Sequence, residues 1–95
     1  MNRNYEAIVI FRPEEDQLSQ GSELVKKEFK DSEIELTAEE DMGLRELAYD
    51  IKKQRKGHYI NFKIQSSPEK IKTLEKNMKL HNQILKFVFF REEEK

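Results

Sequence analysis

Apolar residues recur at every second position in four stretches of this sequence and near helical spacing in two others. The order of those stretches leaves few folds open. Residues 5–11, YEAIVIF, are short, β-branched and apolar on both alternating faces, and Pro13 stops them, which predicts a central strand. Residues 14–30 open with Glu14, Glu15 and Asp16 and close with Lys26, Lys27 and Lys30, the polarity a helix dipole favours. Leu18, Val25 and Phe29 give that helix its apolar stripe, whereas Gly21 costs about 1 kcal/mol against Ala and predicts a weak or late-starting helix. EIELTA then alternates through Ile34, Leu36 and Ala38, and RELAYDI through Leu47, Tyr49 and Ile51. Gly43 between them predicts a bulge that bends one long strand. KKQRKG reads as a polar, basic hairpin turn ending on Gly57, and HYINFKIQ as the returning strand, with Ile60, Phe62 and Ile64 toward the core. A second helix starts with Ser67 as N-cap and Pro68 in the first turn, buries Ile71, Leu74 and Met78, and stops at Asn82. ILKFVFFR is the last strand, and residues 92–95, EEEK, a solvated tail.

The order is therefore β-α-β-β-α-β in a single domain of 95 residues. Right-handed crossovers place both helices on one face of a four-stranded antiparallel sheet, the α+β arrangement called ferredoxin-like. One sheet face then holds the core, and no helix is left for the other. That uncovered face is the expected working surface.

With 36% hydrophobic and 39% charged residues, the core must be small and most of the surface ionic. The chain has no Cys, so it can form neither disulfides nor thiolate metal sites, which suits a reducing cytoplasm. No apolar run approaches the length of a membrane span, and the polar opening MNRNYE is not a signal-peptide pattern, so no membrane partner is expected. The net charge of −1 hides a strong division. Residues 1–50 carry 6 Lys/Arg against 14 Asp/Glu, and residues 51–95 carry 12 against 5. Such asymmetry points to a polyanion or to an electrostatically complementary protein.

Little in the sequence supports catalysis. His58 and His81 lie far apart in the chain, no His/Asp/Glu cluster has metal-ligand spacing, and the three glycines are scattered rather than gathered in a phosphate-cradling loop. No catalytic residue, metal, cofactor or small-molecule substrate is expected. The chain resembles a small acylphosphate-hydrolysing enzyme family in length and element order. In the loop FRPEED, however, Arg12 is accompanied by a Pro13 that lacks an N–H donor and by three phosphate-repelling acids. Residues 55–64, RKGHYINFKI, come within one residue of the octapeptide of the RNA-recognition module. Tyr59 can serve as its rear aromatic, but Gly57 stands where the front one belongs. Both alternatives, an acylphosphatase-like enzyme and a stand-alone single-stranded RNA binder, stay open on the residues alone.

DMGLRELAYDIKKQRKGHY, residues 41–59, resembles the signature of the bacterial ribosomal protein six family of the small (30S) subunit. Gly43, Arg45, Leu47, Ala48, Tyr49, Ile51, Lys53 and Tyr59 fit that signature in type and spacing, as do Tyr5-Glu6, Pro13 and Pro68-Glu69 outside it. Asp50 stands where the family usually has Pro, Met42 where Trp is frequent, and the long charged C-terminal tail of many members is absent. The resemblance implies a non-enzymatic protein of the cytoplasmic ribosome. It further implies binding to the central domain of 16S ribosomal RNA together with small-subunit ribosomal protein eighteen, a small basic protein. An acidic first half suits such a protein, and a basic second half suits phosphates.

On this basis the RNA-binding candidates are Lys52, Lys53, Arg55 and Lys56 in the hairpin, Arg45 in the signature, and Arg3 with Arg91 at adjacent strand ends. Ile8, Ile10, Tyr59, Val88 and Phe90 are the candidates for a protein-partner surface on the uncovered sheet face. Lys70, Lys72, Lys76 and Lys79 read as the solubilising face of the second helix, and Leu47 and Tyr49 as packing residues.

Overall fold

The computed structural model of the chain describes residues 2–92. Its elements are β1 (Arg3–Phe11), α1 (Glu15–Asp31), β2 (Glu35–Ile51), β3 (Gln54–Ser66), α2 (Pro68–Met78) and β4 (Ile84–Arg91). The four strands form one sheet in the order β2-β3-β1-β4, with every neighbouring pair antiparallel. This is the expected β-α-β-β-α-β architecture. The tail expected over 92–95 lies, apart from Glu92, outside the described residues.

Strand parity decides which face is dry. Tyr5, Ala7, Val9 and Phe11 of β1 are all buried, and the first three pair with Ile64, Phe62 and Ile60 of β3. From the helices, Val25 and Phe29 of α1 and Ile71, Leu74 and Met78 of α2 close over this face, with Ile84 joining the same cluster. Phe62 sits at its centre, edge-on to both Phe11 and Phe29. Burial of such side chains contributes roughly 1.5–3 kcal/mol each, and they hold the helices to one side of the sheet.

The expectation of a weak α1 at Gly21 is corrected by packing. A Cβ built there would lie 2.6 Å from Cδ1 of the fully buried Phe11. Gly21 is thus the point where helix and strand approach most closely, and α1 runs through it from Glu15 to Asp31. At the second helix, Ser67 occupies the N-cap and Pro68 follows as expected, but the Ser67 side chain makes no capping bond. Its carbonyl accepts from the Lys70 N–H instead. α2 also ends at Met78, four residues before the expected stop at Asn82, in a turn where Leu80 N–H bonds Asn77 and His81 N–H bonds Met78.

β2 is one long bent strand. Gly43 has φ +85°, and the register with β3 slips between Asp41 and Gly43, which is the predicted bulge. Two further slips occur, between Leu36 and Ala38 and between Glu46 and Ile51. The first turns Ala38 outward, so the alternation Ile34, Leu36, Ala38 fails at its third member. The turn that follows is shorter than KKQRKG suggests. Ile51 already pairs with Gln54, leaving only Lys52 (φ 48°) and Lys53 (φ 66°) as turn residues. Two consecutive positive φ angles match the type I′ hairpin turn, which favours Asn-Gly. For residues with a Cβ this conformation costs about 1–2 kcal/mol each.

Replacing Gly21 with Ala tests the close approach. Helix propensity alone would make the change stabilising by about 1 kcal/mol. Overpacking against Phe11 should instead destabilise the protein by about 1–3 kcal/mol, read as a lower denaturant midpoint.

Candidate partner and nucleic-acid interface

The face opposite the helices is built from Glu6, Ile8 and Ile10 of β1, Tyr59, Asn61 and Lys63 of β3, and Lys86, Val88 and Phe90 of β4, which pair across the strands. Val88 is 38% and Phe90 51% exposed, and Ile8 is half-buried between them and Asn61. Asn61 donates to the Glu6 carboxylate at 2.9 Å, while its own side-chain oxygen is buried without a partner among the described residues. The middle of the face therefore combines an apolar strip with a polar pair, Asn61 and Glu6.

Ile10 departs from the expected exposed set. It is only 8% exposed, because the absent side chain of Gly57 and the bulged part of β2 bring Leu47 over it. A Cβ on Gly57 would strike Cγ2 of Ile10 and lie 3.4 Å from Cδ2 of Leu47. The glycine that mimics the RNA-recognition octapeptide is thus required by packing. Tyr59 is half-buried beside it, with the Arg45 guanidinium 5.8 Å from its ring centre. Phe11, the other ring a stacking platform on this face would need, is fully buried on the helix side.

The bulge at Gly43 is held by Asp41, whose carboxylate accepts the Gly43 N–H at 2.8 Å and pairs with the His58 ring. The Gly43 bond, followed by the His58 contact, holds the Asp41 carboxyl below its ordinary pKa. Beyond the bulge the hairpin outruns β1, whose last residue Phe11 pairs with His58, and bends toward the start of β4. Lys52 Nζ donates to the Ile84 carbonyl at 3.0 Å, and Lys86 Nζ donates to the Tyr49 hydroxyl at 3.3 Å over the same ring. Leu47 packs as expected, whereas Tyr49 is 64% exposed and acts mainly as an anchor for Lys86.

Among the basic candidates, Lys52 and Lys53 form the turn, while Arg55 and Lys56 belong to β3 rather than to a mobile tip. All four are exposed, and none is ion-paired among the described residues. Arg45 bonds the Met42 carbonyl at 3.4 Å rather than Glu46. Arg3 and Arg91 are both exposed near one end of the β1–β4 pair, where Tyr5 faces Arg91. The acids gather elsewhere, with Glu35, Glu39 and Glu40 exposed along the β2 edge and only Glu39 of these ion-paired, to Lys26, among the described residues. Arg12, the residue an acylphosphatase-like site would need, is occupied structurally: its Nε donates to the Asn82 carbonyl at 2.7 Å and its backbone N–H to Gln83. Sequence reasoning did not find the role of Lys86 or the unpaired oxygen of Asn61, since both depend on which residues face each other across strands.

Because the Asp41 pKa is depressed in the folded protein, its contribution to stability is present above the ordinary value of 3.8 and lost as pH falls through the lower folded value. Asp41→Ala should therefore lower the unfolding temperature at pH 7, and the difference from the wild type should shrink progressively below pH of about 4.

Comparison with known proteins fits this geometry. The family described as Ribosomal protein S6 matches residues 4–91. The chain is 39% identical over 92 residues to small ribosomal subunit protein bS6 of Treponema denticola, covering 97% of this chain and 99% of that one. It is 35% identical over 89 residues to the protein of the same name from Treponema pallidum, covering 94% and 96%. In three dimensions it is similar to the crystal structure of 30S ribosomal protein S6 from Thermotoga maritima, with a TM-score of 0.86 and 27% identity over 97% of this chain and 89% of that one. The chain belongs to the ribosomal protein S6 family of the small subunit, a family of structural proteins and not of enzymes.

Proposed function

We propose that the protein binds the central domain of 16S ribosomal RNA in the cytoplasm as a pair with small-subunit ribosomal protein eighteen, and so supports assembly of the 30S particle. The observation that carries this is the helix-free sheet face, where Ile8, Val88 and Phe90 form an apolar strip beside the Glu6 carboxylate. Hydrogen-bond acceptors next to an apolar strip suit a basic partner, and the acidic β2 edge extends the same polarity. RNA is engaged elsewhere, by cations without carboxylate partners among the described residues: the Lys52–Lys56 hairpin, Arg45, and Arg3 with Arg91. A separate single-stranded RNA-recognition function gains no support, since Phe11 is buried and Tyr59 lies under Arg45.

The primary test is co-sedimentation with 30S particles in cell extract, and failure to co-sediment refutes the assignment. Phe90→Ala should weaken capture of the basic partner about tenfold or more, as loss of an interface anchor does. The isolated protein should keep its stability to within about 0.5 kcal/mol, since this side chain is largely exposed. Lys53→Ala with Arg55→Ala should weaken RNA binding by the assembled complex. The same pair should flatten its salt dependence by about one unit of log–log slope for each phosphate the hairpin no longer neutralises. An unchanged slope rules out phosphate binding by the hairpin.

A further inference from the structure

A cleft of about 450 Å³ lies where the end of α2, the edge of β4 and the hairpin turn meet. Its walls are apolar, with Met78, Leu85, Phe87 and Phe89, and two lysines stand at its edge, Lys52 and Lys79, while the Lys86 ammonium lies over Tyr49 on the opposite face. Phe87 and Phe89 are only partly buried and stand edge to face, 5.7 Å apart, so ring surface remains available to a planar guest. Glu75 is the one carboxylate in the lining, and the lysines form no ion pair among the described residues. The site is therefore cationic at its rim and aromatic below.

The turn that delivers Lys52 is the second observation. Lys52 and Lys53 both occupy the left-handed region at a two-residue turn, where Asn-Gly would sit without strain. Strain of this kind persists where surrounding contacts fix it, and it concentrates at binding sites. Of the contacts here, Lys52 to the Ile84 carbonyl ties the hairpin to β4 beside the cleft, and Lys86 to the Tyr49 hydroxyl ties it to β4 on the opposite face.

We infer that the cleft receives a single unstacked nucleotide of RNA, its base against Phe87 and Phe89 and its phosphate between Lys52 and Lys79. Stacking on aromatic side chains with cations following the backbone is how unpaired bases are held. Phosphate alone is a poorer occupant, because Glu75 and the negative end of α2 offset part of the lysine charge. The inference rests on the RNA-binding function proposed above, and it adds a site on the helix side of β4, away from the partner face.

The test titrates the full-length protein with adenosine monophosphate and a short single-stranded RNA, following the Met78 methyl and the Phe87 and Phe89 rings by NMR, with inorganic phosphate and oligoglutamate as controls. The nucleotide and the RNA should shift all three residues, whereas phosphate should leave the rings unmoved. Lys52→Asn with Lys53→Gly should raise the unfolding temperature by a few degrees while weakening the RNA response about fivefold or more. Lys79→Gln, which leaves the turn intact, should weaken it in the same direction. Ring shifts absent with RNA, an unchanged response in both variants, or an equal response to oligoglutamate would each overturn the inference. If the rings fail to respond while the wild-type protein co-sediments with 30S particles, the cleft alone is excluded; if co-sedimentation itself fails, the ribosomal RNA function is excluded with it.

Discussion

Two helices can cover only one face of this sheet, and everything else in the molecule answers to that limit. The helices pack on Tyr5, Ala7, Val9 and Phe11 and their β3 counterparts, and the apolar content of the chain suffices for one such layer. The opposite face must then be polar, partnered or covered by something other than a helix. The structure uses the first and the last. Glu6, Asn61 and Lys63 make part of it polar, the bent end of the β2–β3 hairpin brings Leu47 over Ile10, and Val88 and Phe90 stay exposed.

The bend has a local cause. Asp41 fixes Gly43 in a backbone conformation that side chains disfavour, and the slip between Glu46 and Ile51 displaces residues 47–50 out of register. Leu47 consequently lies beside both Gly57 of β3 and Ile10 of β1, and Tyr49 meets Lys86 three strands away. A straight hairpin would leave Ile10 exposed and Lys86 without the Tyr49 ring. The usual Pro at position 50 is replaced here by Asp, at the far end of this displaced segment, where no ladder pairing is made.

Much of the fold is legible in the sequence because hydrophobic period is a direct consequence of which face is buried. YEAIVIF, HYINFKIQ and ILKFVFFR fall in observed strands, and the Gly43 bulge shows as a glycine between two alternating runs. What escapes depends on contacts distant in sequence. Gly21 resembles a flaw because Phe11 is invisible from the helix alone, and Gly57 resembles part of an RNA motif because nothing in the local sequence places Ile10 beneath it. Lys-Lys carries no turn signal, so the two-residue turn reads as a longer loop. For the site, parity places Ile8, Val88 and Phe90 on one face, yet only the register reveals that Ile10 is covered and that the Asn61 side-chain oxygen lacks a partner among the described residues.

The charge division of the sequence becomes spatial through strand order. β2, which carries Glu35, Glu39 and Glu40, is one edge of the sheet, and β4, which carries Lys86 and Arg91, is the other. Taken alone, that arrangement would strand the basic hairpin on the acidic side, since the hairpin grows from β2. The bend removes the conflict by carrying Lys52 across the end of β1 to the Ile84 carbonyl. Lys52, which begins next to the acids in the chain, thus finishes beside β4, while Lys56 stays opposite Glu46 in the β2–β3 ladder. A molecule with separate negative and positive flanks can meet a basic protein and a polyanion at once, with neither ligand screening the other's site beyond a Debye length of about 8 Å at physiological salt.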